Sequence, residues 1–279
     1  MKLIHLSDTH VGKGNNAERL QALFDDMATL GRPQDYLIIH TGDLNDSAKP
    51  ETMQQSRAML DAMHAKGWRI RLAPGNHDCG DAVHVGPTEA ARFKAEFAKY
   101  IFGDAAQKFP VLTLTDDCAL IGLDSNEGEM NFWTRLMAEG NLGGSQVEAL
   151  NKLLDQPEVR KRKVVLYLHH HPFFNAFVVN ADFGDRRYGA HLFSFFTRSF
   201  RRLKDAYTLM QCVRDRADIL LFGHQHFGLD YSTEGQRYGI PLSLDGSSST
   251  AFQMDTDRMR YRVIDSATGK FETRFVALP

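Results

Sequence analysis

Six short apolar runs along the chain each stop at a polar cluster: KLIHL before SDTH, DYLIIH before TGDLND, RIRLA before PGNHD, CALIGL before DSN, KVVLYL before HHHP, and ADILLF before GHQH. Runs this short and this rich in Ile, Leu and Val predict strands buried on both faces. Between them AERLQALFDDMATLG, PETMQQSRAMLDAMHAKG, TEAARFKAEFAKYI and SQVEALNKLLDQ carry apolar residues at helical spacing, and two end in Gly, a usual helix stop. Near the C-terminus LSLDGSSST and MRYRVIDSATGKFETRFVAL predict strands, the latter a hairpin turning at SATGK. Strands alternating with helices predict an α/β fold with parallel or mixed sheet. Ligands in such sheets collect at the carboxyl ends of strands, where the polar clusters fall. There is no repeat, low-complexity tract or linker, so residues 1–279 are expected to form one domain.

Composition narrows the function classes. The chain has 279 residues, 43% hydrophobic and 24% charged, with a formal charge of -2, ordinary values for a globular protein. The absence of net positive charge argues against a protein that grips long nucleic acid by its phosphates. Cys79, Cys118 and Cys212 are far apart and form no CxxC pair, which suits a reducing compartment. MKLIHLSDTH reads as a strand delivering polar residues rather than as a signal peptide, and no run is long enough for a membrane helix. A cytoplasmic location, with no membrane partner, is the expectation.

Asp8 and His10 are two apart, on one face of an extended chain with Thr9 turned away, and His224 and His226 repeat the spacing. Asp43, Asn76 and one histidine of HHHP make a set of seven. Carboxylates, an amide oxygen and imidazoles suit Mn, Fe, Zn, Co or Ni. Seven donors exceed one tetrahedral site and suit two ions sharing a carboxylate. Alternation puts His169 and His171 on one face and His170 on the other, and a strand buried on both faces offers no polarity cue to choose between them.

The ordered motifs DTH, GDLND, GNHD, HHP and GHQH resemble those of the calcineurin-like metallophosphoesterase superfamily. GNLGGSQVEAL, following GLDSN, is similar to the bacterial class III cyclic-nucleotide phosphodiesterase and glycerophosphodiesterase branch. The resemblance implies two mixed β-sheets packed as a sandwich, flanked by helices, with a dimetal site at the strand C-terminal ends. It implies Asp8, His10 and His226 on one metal, Asn76, a strand-end histidine and His224 on the other, and Asp43 bridging. The family motif places its histidine two residues before proline, which selects His170. His77 resembles the catalytic acid, Asp46 the carboxylate that orients it, with Asp78 as a substitute, and a metal-bridging hydroxide the nucleophile. Cys79 is expected to be a packed thiol. Asn76, His77 and His171 are expected to face the substrate.

The aromatic- and arginine-rich segment at about 173–210, with Arg186 and Arg187, has two readings: a lid that recognises a phosphodiester, or a packing surface within a homo-oligomer. The expected function is dimetal hydrolysis of a small phosphate ester, foremost a cyclic-nucleotide or other small-molecule phosphodiester. The enzyme alternatives are a phosphomonoesterase or protein phosphatase and a nuclease. A metal-poor interaction scaffold is the alternative from another class.

Overall fold

The computed structural model describes residues 1–80, 86–126, 139–173, 203–251 and 258–279. Its strands in chain order are β1 (Lys2–Leu6), β2 (Tyr36–His40), β3 (Arg69–Leu72), β4 (Val111–Leu114), β5 (Cys118–Gly122), β6 (Lys163–Tyr167), β7 (Ile219–Phe222), β8 (Leu242–Asp245), β9 (Arg258–Asp265) and β10 (Phe271–Ala277). The helices are α1 (Asn16–Met27), α2 (Pro50–Ala65), α3 (Pro87–Glu96), α4 (Ala98–Ile101), α5 (Gly144–Leu154), α6 (Pro157–Arg160), α7 (Ala206–Val213) and α8 (Ser232–Gln236). All six apolar runs became strands. The third expected helix divides at Phe97, whose φ of -102° leaves the helical range between α3 and α4.

The strands form two five-stranded mixed sheets, ordered β10-β9-β1-β2-β3 and β4-β5-β6-β7-β8. In the first, β1, β2 and β3 run parallel and the β9–β10 hairpin is antiparallel. In the second, β5 to β8 run parallel and β4 is antiparallel. The α/β sandwich expected from the sequence is the observed fold.

Side-chain alternation splits the apolar residues into three buried layers. On β1 and β2, Leu3, Leu37 and Ile39 face Leu120, Val165, Tyr167, Leu221 and Leu244 of the second sheet. Ile4, Leu6 and Ile38 point the other way, towards Leu20, Phe24 and Met27 of α1. On the second sheet Leu166 and Leu168 likewise turn outward to Leu150 of α5 and Leu209 of α7. Fully burying one such side chain contributes about 1.5–3 kcal/mol, so both faces of each sheet are held. That packing aligns the ends of β1, β2 and β3 with those of β6 and β7 across the interface.

Arg186 and Arg187, with most of the 173–210 segment, lie outside the described residues. Among the described residues no helix is long and apolar enough to cross a membrane.

Candidate metal centre

At the strand ends the chain reverses abruptly. Asp8, His10, Asp43, His224 and His226 all have positive φ, between 45° and 76°. Residues with a Cβ pay roughly 1–2 kcal/mol for this conformation, and such residues cluster at functional sites. Glycines make the close approach feasible. Gly42 has φ of 92°, and a Cβ on it would lie 2.7 Å from His169 Nδ1 and 2.8 Å from the backbone of Gly75.

The bends gather the donors into two groups. In one, His226 Nε2 is 3.0 Å from Asp8 Oδ1 and 3.4 Å from His10 Nε2. In the other, His169 Nε2 is 3.0 Å from Asn76 Oδ1 and 3.1 Å from His224 Nδ1. Asp43 stands between them, with Oδ2 3.8 Å from His10 Nε2 and 3.4 Å from His169 Nε2. Burial pushes the Asp43 carboxyl up, but His169 and His77 outweigh it and hold Asp43 well below the usual carboxylate range. Burial pulls His169 down, yet Asp43 raises it to about 9. The donor atoms of Asp8, His10 and His226 lie within 4.8 Å of one another, as do those of Asp43, His169 and His224. Carboxylate, amide and imidazole donors converging this closely fit borderline divalent cations.

The histidine that meets Asp43, Asn76 and His224 is His169, which corrects the selection of His170. Alternation along β6 explains the register. His169 shares the inner face with Val165 and Tyr167, whereas His170 shares the outer face with Leu166 and Leu168. Only the inner face looks across to the loops of the first sheet, and His169 Nδ1 lies 2.8 Å from the Thr41 carbonyl oxygen. His170 is buried behind it, with Nδ1 2.7 Å from Ser125 Oγ.

Asp46 also departs from expectation. Its carboxylate faces His10, Oδ1 to Nδ1 at 3.6 Å. Its backbone carbonyl, not its side chain, accepts the His77 Nδ1 proton at 2.9 Å. The His77 backbone N–H donates to Asp43 Oδ1 at 2.8 Å. Burial pulls the His77 imidazole down, but the Asp43 carboxylate and the Asp46 carbonyl leave it raised overall.

Asp78 is no substitute, because its carboxylate is committed elsewhere. It accepts the backbone N–H groups of Leu44, Asn45 and Gly75 at 3.2, 2.9 and 3.0 Å, tying the loop that bears Asp43 to the loop that bears Asn76. Burial raises its carboxyl to about 7. Cys79 is a fully buried thiol pushed up by burial, as expected.

His171, expected to face the substrate, is buried among aromatic side chains. It sits against Tyr231 and Phe222, with ring centroids 4.6 and 4.8 Å away, and its Nε2 has no hydrogen-bond partner among the described residues. Burial lowers it to about 3.

Sequence reasoning missed the loop after β8. Ser248 Oγ donates to the Asp8 carbonyl at 2.8 Å, Thr250 Oγ1 to the Thr9 carbonyl at 3.0 Å, and Ser249 N to the Ser7 carbonyl at 2.9 Å. GSSST was expected to continue the strand, which ends at Asp245, and nothing local tied it to DTH more than two hundred residues earlier.

A family model described as calcineurin-like phosphoesterase matches residues 1–228. A probable cyclic nucleotide phosphodiesterase of Rhodococcus erythropolis is 26% identical over 267 residues, covering 91% of this chain and 72% of that protein. Among solved structures, an archaeal phosphodiesterase aligns over 99% of this chain and 100% of its own, at 10% identity and a TM-score of 0.44. A metallophosphoesterase from Sphaerobacter thermophilus aligns over 100% of this chain and 90% of its own, at 10% identity and a TM-score of 0.41.

Two outcomes follow from this geometry. His171 is ordinarily protonated below 6.5 and in the fold only below about 3. Below pH 6.5 the unfolded chain therefore binds a proton that the folded chain refuses. Stability falls with pH across that window by about 1.4 kcal/mol per unit from this residue alone. In urea unfolding, His171→Phe should gain about 2 kcal/mol on wild type between pH 7.5 and pH 5; a gap independent of pH would show that His171 carries no such linkage. Asp78→Ala, which strands three buried amides, should cost about 3 kcal/mol or more, and Asp78→Asn less. Equal losses in the two variants would count against the amide-clamp role.

Proposed function

The chain belongs to the calcineurin-like phosphoesterase family and is a phosphoric ester hydrolase; from that premise we propose that it cleaves small-molecule phosphodiesters, cyclic nucleotides foremost, with two cations. Asp8, His10 and His226 would hold one, Asn76, His169 and His224 the other, and Asp43 both. The observation that carries this reading is Asp43 Oδ2, within 3.8 Å of His10 and 3.4 Å of His169, one histidine from each donor group. The diester preference is supported by the relative from Rhodococcus erythropolis named a probable cyclic nucleotide phosphodiesterase.

When bound, a close pair of cations supplies Lewis acidity at the phosphoryl oxygens and makes water nucleophilic near neutral pH. The protein's own groups do the rest. Only two carboxylates, Asp8 and Asp43, stand among the seven donors, so the loaded site keeps positive charge for an arriving phosphate. The Asp46 carbonyl holds the His77 Nδ1 proton, which turns Nε2 towards substrate. The Nε2 proton passes to the departing alkoxide oxygen.

A panel of phosphomonoesters, linear diesters and cyclic nucleotides, run separately with Mn, Fe, Zn, Co and Ni, tests the reading. Faster turnover of monoesters would favour a phosphatase, and cleavage of polynucleotides a nuclease. His169→Ala should lose one of two cations, whereas His170→Ala keeps both at reduced stability; metal analysis of the purified variants checks the register. His77→Ala should keep both cations and lose about 10²–10⁴ in turnover on esters with poor leaving groups. Activated aryl esters should lose far less, and an equal loss on both classes would argue against His77 as the acid.

A further inference from the structure

Beneath the donor group containing Asp8 lies a buried polar chain between the sheets that no step above uses. His5, Ser7, Thr41 and Asp8 are each fully buried. His5 Nε2 lies 3.0 Å from Thr41 Oγ1, Thr41 Oγ1 lies 2.7 Å from Ser7 Oγ, and Ser7 Oγ bonds Asp8 Oδ2.

Donor arithmetic gives the chain one direction. An ionised carboxylate only accepts, and each hydroxyl has a single proton. Ser7 must therefore donate to Asp8, so it accepts from Thr41. The Leu6 carbonyl is a longer second acceptor for Thr41 at 3.3 Å, but the 2.7 Å contact to Ser7 needs the Thr41 proton, so Thr41 accepts from His5 Nε2–H. His5 is left with a bare Nδ1, and that atom has no hydrogen-bond partner among the described residues. Burial, first, and the neighbouring Arg262 hold His5 well below its ordinary value, so the ring stays neutral.

The two oxygens of Asp8 are thereby made unequal. Oδ2 alone accepts from Ser7, whereas the His224 backbone N–H is shared between Oδ2 at 3.0 Å and Oδ1 at 3.2 Å. Oδ1 is the oxygen beside His226 Nε2, at 3.0 Å. The space around the chain is closed from the second sheet. A Cβ on Gly223 would lie 1.9 Å from Ser7 Oγ and 2.4 Å from Asp8 Oδ2, and one on Gly246 2.6 Å from Ser7 Cβ and 2.9 Å from His5 Nε2. No side chain fits there.

We propose that His5, Thr41 and Ser7 are positioning residues, a one-way hydrogen-bond relay that occupies Asp8 Oδ2 and so presents Oδ1 alone to the cation. The inference rests on the reading of Asp8 as a cation donor. Aligned donors polarise one another, and partners of this kind typically govern metal affinity by about 10–100-fold.

The test uses the full chain stripped of metal: wild type, Ser7→Ala, Thr41→Val and Thr41→Ser, each titrated with Mn(II) against a competing chelator. Thr41→Val keeps the shape and deletes the hydroxyl, whereas Thr41→Ser keeps the hydroxyl. The relay requires Thr41→Val and Ser7→Ala to weaken one of the two cations by about 10–100-fold, leave the other unchanged, and show recovery in Thr41→Ser. Nitrogen NMR of His5 in the stripped wild type should find the Nε2–H tautomer. Thr41→Val binding both cations as tightly as wild type, or a His5 ring protonated at Nδ1, overturns the relay alone. Wild type that binds no Mn(II) overturns the two-cation reading and the positioning role with it.

Discussion

The site depends on one constraint: strands of two packed sheets must end at the same edge and turn back at once. Five of the seven donor residues named from the sequence take left-handed backbone to do so. At roughly 1–2 kcal/mol each, that strain approaches the whole net stability of an ordinary domain, about 5–15 kcal/mol. It persists because three apolar layers and a dense set of backbone bonds hold the loops. Asp78 ties the loops after β2 and β3. Ser248, Ser249 and Thr250 tie the loop after β8 to that after β1.

The same packing explains the number of buried histidines. His5, His40, His170 and His171 are all pulled below their ordinary value, with burial the largest cause. They are neutral spacers and hydrogen-bond partners. His169, equally buried, is raised because Asp43 lies beside it. His10 shows that the direction alone does not separate a donor from a core histidine: burial holds it down although Asp46 and Asp43 lie beside it.

Much of the fold was legible. The six apolar runs and the hairpin at SATGK were read from pattern, because a buried strand must be apolar wherever it lies. Asp8, His10, Asp43, Asn76, His224 and His226 were legible as a group, since a polar cluster at the end of each run has one place to go in an α/β sheet. Asp46 meets His77 through its backbone carbonyl rather than its side chain, a contact the sequence cannot show because it names only the side chain.

The sequence by itself determined every described strand except β4, the helices α1, α2, α5 and the span of α3 and α4, their alternation and the kinds of polar residue at each strand end. These follow from local periodicity and from residue chemistry. Only the tertiary structure decided which histidine of HHHP looks inward, since His169 and His170 differ solely in which sheet face they share. It likewise decided that His171 belongs to an aromatic core, that Asp78 clamps amides, and that Ser7, Thr41 and His5 line up behind Asp8. Each of these depends on a second strand approaching from across the sandwich, and no local pattern records which residue that strand will meet.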